Sequence, residues 1–340
     1  MPVFEVDSTI AGQPSLPAAR GPMSARIIDA VRATPADAPA RIDVPTVLDP
    51  WSDDVQLALA VCHELHYRGW ADAGRDCEWD PVLIGARGRL EDLFLSAVVE
   101  ECVPLSEEGT ADAELGALAR GVPSGAVAHL RRWGTEDEFA DYFAARSVYH
   151  LKEADPHAWA IPRLSGRVKA AFVAVEFDEY GAGRAERVHQ NLFGELLSSM
   201  GLNCDYLGYL PHAPGVVLAP VNLMMCLGLR RSRRGATVGH FAATEMTSPV
   251  GSAWILHGLD RLEAPEPARR FFREHVEADA VHELVMRDEV VGVLLSDEPS
   301  LEDDVVFGIR ALLVVENRLD RAFVDAWNSG RSLVRREVDQ

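Results

Sequence analysis

The sequence predicts an all-α protein. No stretch sustains the apolar–polar alternation of period two that a half-buried strand needs, and no internal repeat stands out. Several long segments repeat apolar residues in steps of three and four, the signature of an amphipathic helix. These segments are punctuated by capping residues at their starts and by glycine or proline at their ends.

Residues 1–48 are rich in Ala, Pro, Ser and Arg and show little apolar periodicity, which predicts an irregular N-terminal arm. An N-terminal helical region is expected over 49–134. Its first helix opens at Ser52, a good N-cap, and closes near Gly69. That helix carries His63, Glu64 and His66. The two histidines lie three apart, without the i, i+4 pair of a zinc-protease helix, so a structural role is expected for them. A second helix begins at Pro81, a polar turn follows, and a short helix lies around 127–133. The boundary with the main body, residues 135–340, is placed near Gly134.

That body starts with a capping box, Thr135-x-x-Glu138, and its first helix should run to Asp155, where Pro156 stops it. A long helix is expected over 172–196, with Gly181 and Gly183 as weak points. A loop-rich connection over 203–220 leads to an apolar helix over 221–231. Next comes a helix bearing Glu245, ended by Ser248 and Pro249. Another follows Pro265 and Pro267, and a last helix from about residue 299 shows a broad apolar face through Val306, Ile309, Leu313 and Phe323.

The formal net charge of −20 makes nucleic acid or an anionic membrane surface an unsuitable partner, because tracking phosphates needs clustered cations. Lysine occurs only at Lys152 and Lys169. The five cysteines form no C-x-x-C pair, and their odd number, without a recognisable signal peptide, points to a reducing cytoplasm. The most apolar run, 216–229, falls short of the ~20 residues needed to span a bilayer. A soluble, cytoplasmic protein is expected.

Ligand-type side chains occupy apolar stripes. Reading 172–196 as one helix, Phe172, Val175, Glu179, Ala182, Glu186, His189, Phe193 and Leu196 fall on a single face. Phe272, His275, Asp279, His282 and Met286 do the same on a later helix. Glu245 shares a face with Val238 and Phe241, and Glu153 ends the face that carries Phe139, Arg146 and His150. Carboxylates on such stripes are costly to desolvate, by several kcal/mol, unless a counter-charge is present. A Glu from each of two helices, Glu153 and Glu245, plus Glu186-x-x-His189 and Asp279-x-x-His282, is a pattern by which a four-helix bundle holds two iron or manganese ions. Imidazole with carboxylate suits iron better than calcium or magnesium, and with no cysteine in this set neither a structural zinc nor an iron–sulfur cluster fits.

The order Glu153, Glu179-x6-Glu186-x2-His189, Glu245, His275-x3-Asp279-x2-His282, with HLKEADPHAWAIPRL leading in, resembles the haem-oxygenase-like diiron oxidases and oxygenases. The similarity covers residues from about 135 to the C-terminus and includes the HELHYRG helix. It implies a haem-oxygenase-like helical bundle with an N-terminal helical extension, two Fe ions cycling between Fe2+ and Fe3+, and O2 as co-substrate. It also carries over His275 as a metal ligand. Glu179 sits where the N-oxygenating members place an additional carboxylate, which gives it a catalytic as well as a metal-binding role. How Glu153 and Glu245 divide between holding metal and supporting its ligands is left open. The implied reaction is N-oxygenation of a small-molecule amine or free amino acid in natural-product biosynthesis, with an external electron donor and a homodimer as the compatible assembly. Oxidative C–C cleavage, desaturation or decarboxylation on the same cofactor is the alternative. A non-catalytic helical binding protein is the alternative of another class.

Overall fold

The computed structural model describes residues 12–33, 40–74 and 76–334, without the side chains of 277–281. The fold is all-α: among the described residues there is no strand, only an isolated antiparallel bridge between Tyr180 and Val188. None of the described helices is long and apolar enough to cross a membrane.

Helix α1 (Pro22–Arg32) lies inside the segment expected to be irregular. It buries Met23, Ile27, Ile28 and Val31 on one face, and Asp54 accepts hydrogen bonds from its Met23 and Ser24 N–H groups. With apolar positions in only three turns, the periodicity was too short to stand out from the flanking composition. Helix α2 (Asp53–Glu64) starts at Ser52, whose hydroxyl caps Val55 N–H. Helices α3 (Pro81–Glu101), α4 (Ala111–Ala119) and α5 (Gly125–Arg132) follow. The expected boundary at Gly134 is not a break in packing, since α2 lies against α10 and α5 against α11 and α14. The larger apolar core runs from Leu16 to Val334.

Helix α6 (Glu136–His150) opens with the capping box at Thr135 and Glu138, and the short α7 (Asp155–Ala158) begins just beyond its end. Helices α8 (Gly166–Glu179) and α9 (His189–Ser199) are separate, so the single helix expected over 172–196 does not form. Helix α10 (Gly215–Leu229) is buried almost all round, and its one strongly polar side chain, Asn222, donates to the carbonyl and side-chain oxygens of Gln56.

Helix α11 (Arg234–Arg261) passes straight through Pro249, which was expected to end it. The ring removes the N–H that would reach back to Glu245 and crowds that residue's carbonyl, at a cost of about 3 kcal/mol or more, and packing along both flanks compensates. Helices α12 (Glu266–Leu284), α13 (Val293–Asp297) and α14 (Glu302–Asn328) complete the chain, with a π-helical turn over Val285–Gly292. Helices α11 and α14 cross at backbone contact. A Cβ on Gly239 would lie 2.1 Å from Val305 O, and one on Gly308 would lie 2.0 Å from Ala236 O. This crossing, with α6, α8, α9 and α12 around it, frames the interior where the acidic residues collect.

Candidate metal centre

Two buried triads face each other between these helices. In one, Glu153, His189 and His275 bring ligand atoms within 4.8 Å of one another; in the other, Glu179, Glu245 and His282 do the same. Glu179 joins them, because its Oε2 lies 2.8 Å from Nδ1 of His189. The His189 and His275 rings are 4.4 Å apart.

The local chain path explains the grouping. Helix α6 ends at His150, so Glu153 lies in the turn after it and not on the helix itself. Ala154 has φ +69, a conformation unusual for a residue with a Cβ, and it reverses the chain so that Glu153 turns inward before α7 begins. His150 Nδ1 lies 2.9 Å from Glu153 Oε1. Burial alone would raise the Glu153 pKa, yet His150 and His275 beside it hold it well below the usual carboxylate range.

The break between α8 and α9 decides which acid meets His189. Gly181 at φ +69, Ala182 at φ 52 and Gly183 at φ +79 turn the chain out of the helix. A Cβ on Gly181 would sit 2.7 Å from Arg187 C and Val188 N, so only glycine lets this loop close on itself. The loop carries Glu186 to the surface, where its carbonyl accepts a hydrogen bond from Arg270. Glu186 therefore joins neither triad. The i, i+3 pairing of Glu186 with His189 required an unbroken helix, and the structure brings Glu179 to His189 instead. Of the other expected ligands, Glu153, His189, Glu245, His275 and His282 fall in the triads. Asp279 lies outside the described residues.

Several supporting residues gave no signal in the sequence. His275 Nδ1 donates to Phe271 O at 2.8 Å, which turns its Nε2 toward Glu153 Oε1, 3.6 Å away. His282 has Nδ1 3.1 Å from Glu245 Oε2 and Nε2 3.1 Å from Asp178 Oδ2. Asp155 accepts hydrogen bonds from Tyr180 OH at 2.8 Å, from Gln190 Nε2 at 2.9 Å and from Tyr67 OH. It thereby ties the starts of α7 and α9, the end of α8 and the turn after α2 together. Glu176, one turn before Glu179, is buried with neither carboxyl oxygen hydrogen-bonded; burial, then Glu179, Glu245 and Asp155, push its pKa well above the usual range. His63 belongs to a different network, with Asn222 Oδ1 at 3.1 Å and Glu91 Oε1 at 3.0 Å.

A cavity of about 380 Å³ opens beside the first triad. Glu153, His275, Phe271 and Phe272 line one part of it, and Arg146, Glu316 and Asp320 line another. Arg146 and Glu316 neutralise each other through paired hydrogen bonds of 2.9 and 2.6 Å.

The donor set suits iron. Glu153, Glu179 and Glu245 place three buried carboxylates together, and three buried imidazoles face them. Glu153 Oε2 is buried and has no hydrogen-bond partner among the described residues, an acceptor that a cation would satisfy. Over residues 140–317, just over half its length, the chain matches the family described as iron-containing redox enzymes. It belongs to that family, with its haem-oxygenase-like all-α fold, and is an iron-containing oxidoreductase by membership. No curated protein matches it.

Proposed function

We propose that this protein is a non-haem diiron oxygenase that activates O2 and N-oxygenates the amine of a free amino acid or small metabolite. The reading is supported above all by the contact between Glu179 and His189, because it makes two separate triads contiguous. Glu153, His189 and His275 would hold one iron, and Glu179, Glu245 and His282 the other, with Asp279 carried over from the family resemblance. The irons, resupplied with electrons from an external donor, would provide the reduction of O2.

The protein's own residues do the rest. Three carboxylates would offset most of the charge of two Fe2+ ions held in this buried site. Glu179, in contact with His189 of the other triad, would add negative charge to one ion. The adjoining cavity admits an organic substrate to the Glu153 and His275 side, and Phe271 and Phe272 give it an apolar wall there.

The test is anaerobic titration with Fe2+, followed by exposure to O2 with a panel of amino acids and amines. Uptake of two irons per chain and oxygen added to a substrate nitrogen is the expected result. Glu179→Gln, which keeps shape and removes charge, should retain at least one iron and lose that product. Uptake that never exceeds one iron in the wild type would reject the diiron assignment. Unchanged product from Glu179→Gln would reject its catalytic role, and cleaved or desaturated products would move the reading to that alternative chemistry.

A further inference from the structure

His282 is held from both ring nitrogens. Its Nδ1 lies 3.1 Å from Oε2 of Glu245, a fellow member of the triad with Glu179, while Asp178 Oδ2 stands 3.1 Å from Nε2. Asp178 is not part of that triad. An imidazole can give a metal only one nitrogen in this arrangement, and Nδ1 is the one beside the triad member Glu245, whereas Nε2 faces Asp178, outside the triad. The outward Nε2 must then carry the proton, and it needs an acceptor.

We propose that Asp178 is a positioning residue: by accepting the Nε2 proton of His282 it fixes the tautomer with bare Nδ1 and orients the ring toward Glu179 and Glu245 for metal. The inference rests on the metal-centre reading above. Adjacent residues of the last turn of α8 then serve one centre in two ways, Glu179 as ligand and Asp178 as support for a ligand from α12. A carboxylate behind a metal-bound histidine typically changes metal affinity about 10–100-fold.

An alternative role, pinning α8 to α12 as a plain ion pair, predicts something different. The Asp178 side chain is 50% exposed although His282 is buried, so water can take its place at Nε2 and the pair contributes little to folding. Removing Asp178 should therefore leave the fold's stability nearly unchanged while weakening the metal site. The two effects separate cleanly.

The experiment uses Mn2+ binding to the full-length, metal-free protein, followed by the electron paramagnetic resonance signal of the free ion, in the wild type, Asp178→Ala and Asp178→Asn. The expected result is affinity about 10–100-fold weaker in Asp178→Ala at unchanged melting temperature. Asp178→Asn should be intermediate, because its amide oxygen still accepts the Nε2 proton. Long-range proton–nitrogen NMR of the Zn2+-loaded wild type should show His282 protonated at Nε2. Wild-type affinity in Asp178→Ala, or a His282 protonated at Nδ1 with Zn2+ bound, would overturn the proposal. A wild-type protein that takes up neither ion would overturn the metal-centre reading and this inference with it.

Discussion

Gly181→Ala tests how the loop between α8 and α9 builds the centre. The substitution places a Cβ at φ +69, and a left-handed residue with a side chain costs about 1–2 kcal/mol. That Cβ would also lie 2.7 Å from both Arg187 C and Val188 N, closer than van der Waals contact, so the two limbs of the loop must part. Relief of such overpacking costs about 1–3 kcal/mol, and the lower entropy of the unfolded alanine chain returns about 0.4–1 kcal/mol. The net expectation is a loss of roughly 3 kcal/mol in urea unfolding of the metal-free protein. Because Val188 leads directly into His189, the variant should also bind metal more weakly at the triad that His189 completes. Gly194→Ala is the control: it sits within α9 with no heavy atom within 4 Å of its added Cβ and should stabilise by about 0.5–1 kcal/mol. A Gly181→Ala protein with wild-type stability and wild-type metal content would refute the reasoning, as would equal losses in both variants.

Two further outcomes follow from other networks. His63→Ala should leave iron content unchanged yet cost about 1–3 kcal/mol in denaturant unfolding, because Asn222 and Glu91 each lose a buried hydrogen-bond partner. His240, fully buried against His157, has its pKa lowered by burial from 6.5 to about 4. The neutral form is the folded one, so its contribution is complete above pH 6.5 and is lost as pH falls toward 4, by about 3 kcal/mol. His240→Gln should flatten that part of the stability profile, and an unaltered slope between pH 6.5 and 4 would contradict it.

Much of the fold was legible because the apolar period of a helix survives in sequence wherever one face is buried. The capping box at Thr135 and the N-cap at Ser52 marked two starts to the residue. Legibility failed where local signals compete with packing. Pro249 reads as a stop, yet α11 continues through it, since the contacts along α12 and α14 outweigh the missing N–H and the crowded carbonyl. The boundary placed at Gly134 rests on a shift in composition, which carries no information on how α5, on its N-terminal side, packs against α11 and α14.

The residue types of the candidate centre were legible in the sequence, and one detail of their geometry was misread. Listing acids and histidines on inward stripes found Glu153, Glu179, His189, Glu245, His275 and His282, because burial of such groups is expensive without a compensating cation and is therefore informative. The stripe over 172–196 assumed that two glycines merely loosen a helix. In the structure they break it, and a stripe computed across a break has no physical meaning beyond it: Glu186 falls on the stripe and faces solvent, while Asp178, off the stripe, reaches His282. The pairing of Glu179 with His189 nonetheless spans the break, because the loop is closed so tightly at Gly181 that Tyr180 and Val188 bridge. Positive-φ glycine thus substitutes for helical register in bringing an acid and an imidazole ten residues apart onto one centre. In this chain the spacing from Glu179 to His189 has to be read as a turn around Gly181 and not as a count of helical steps.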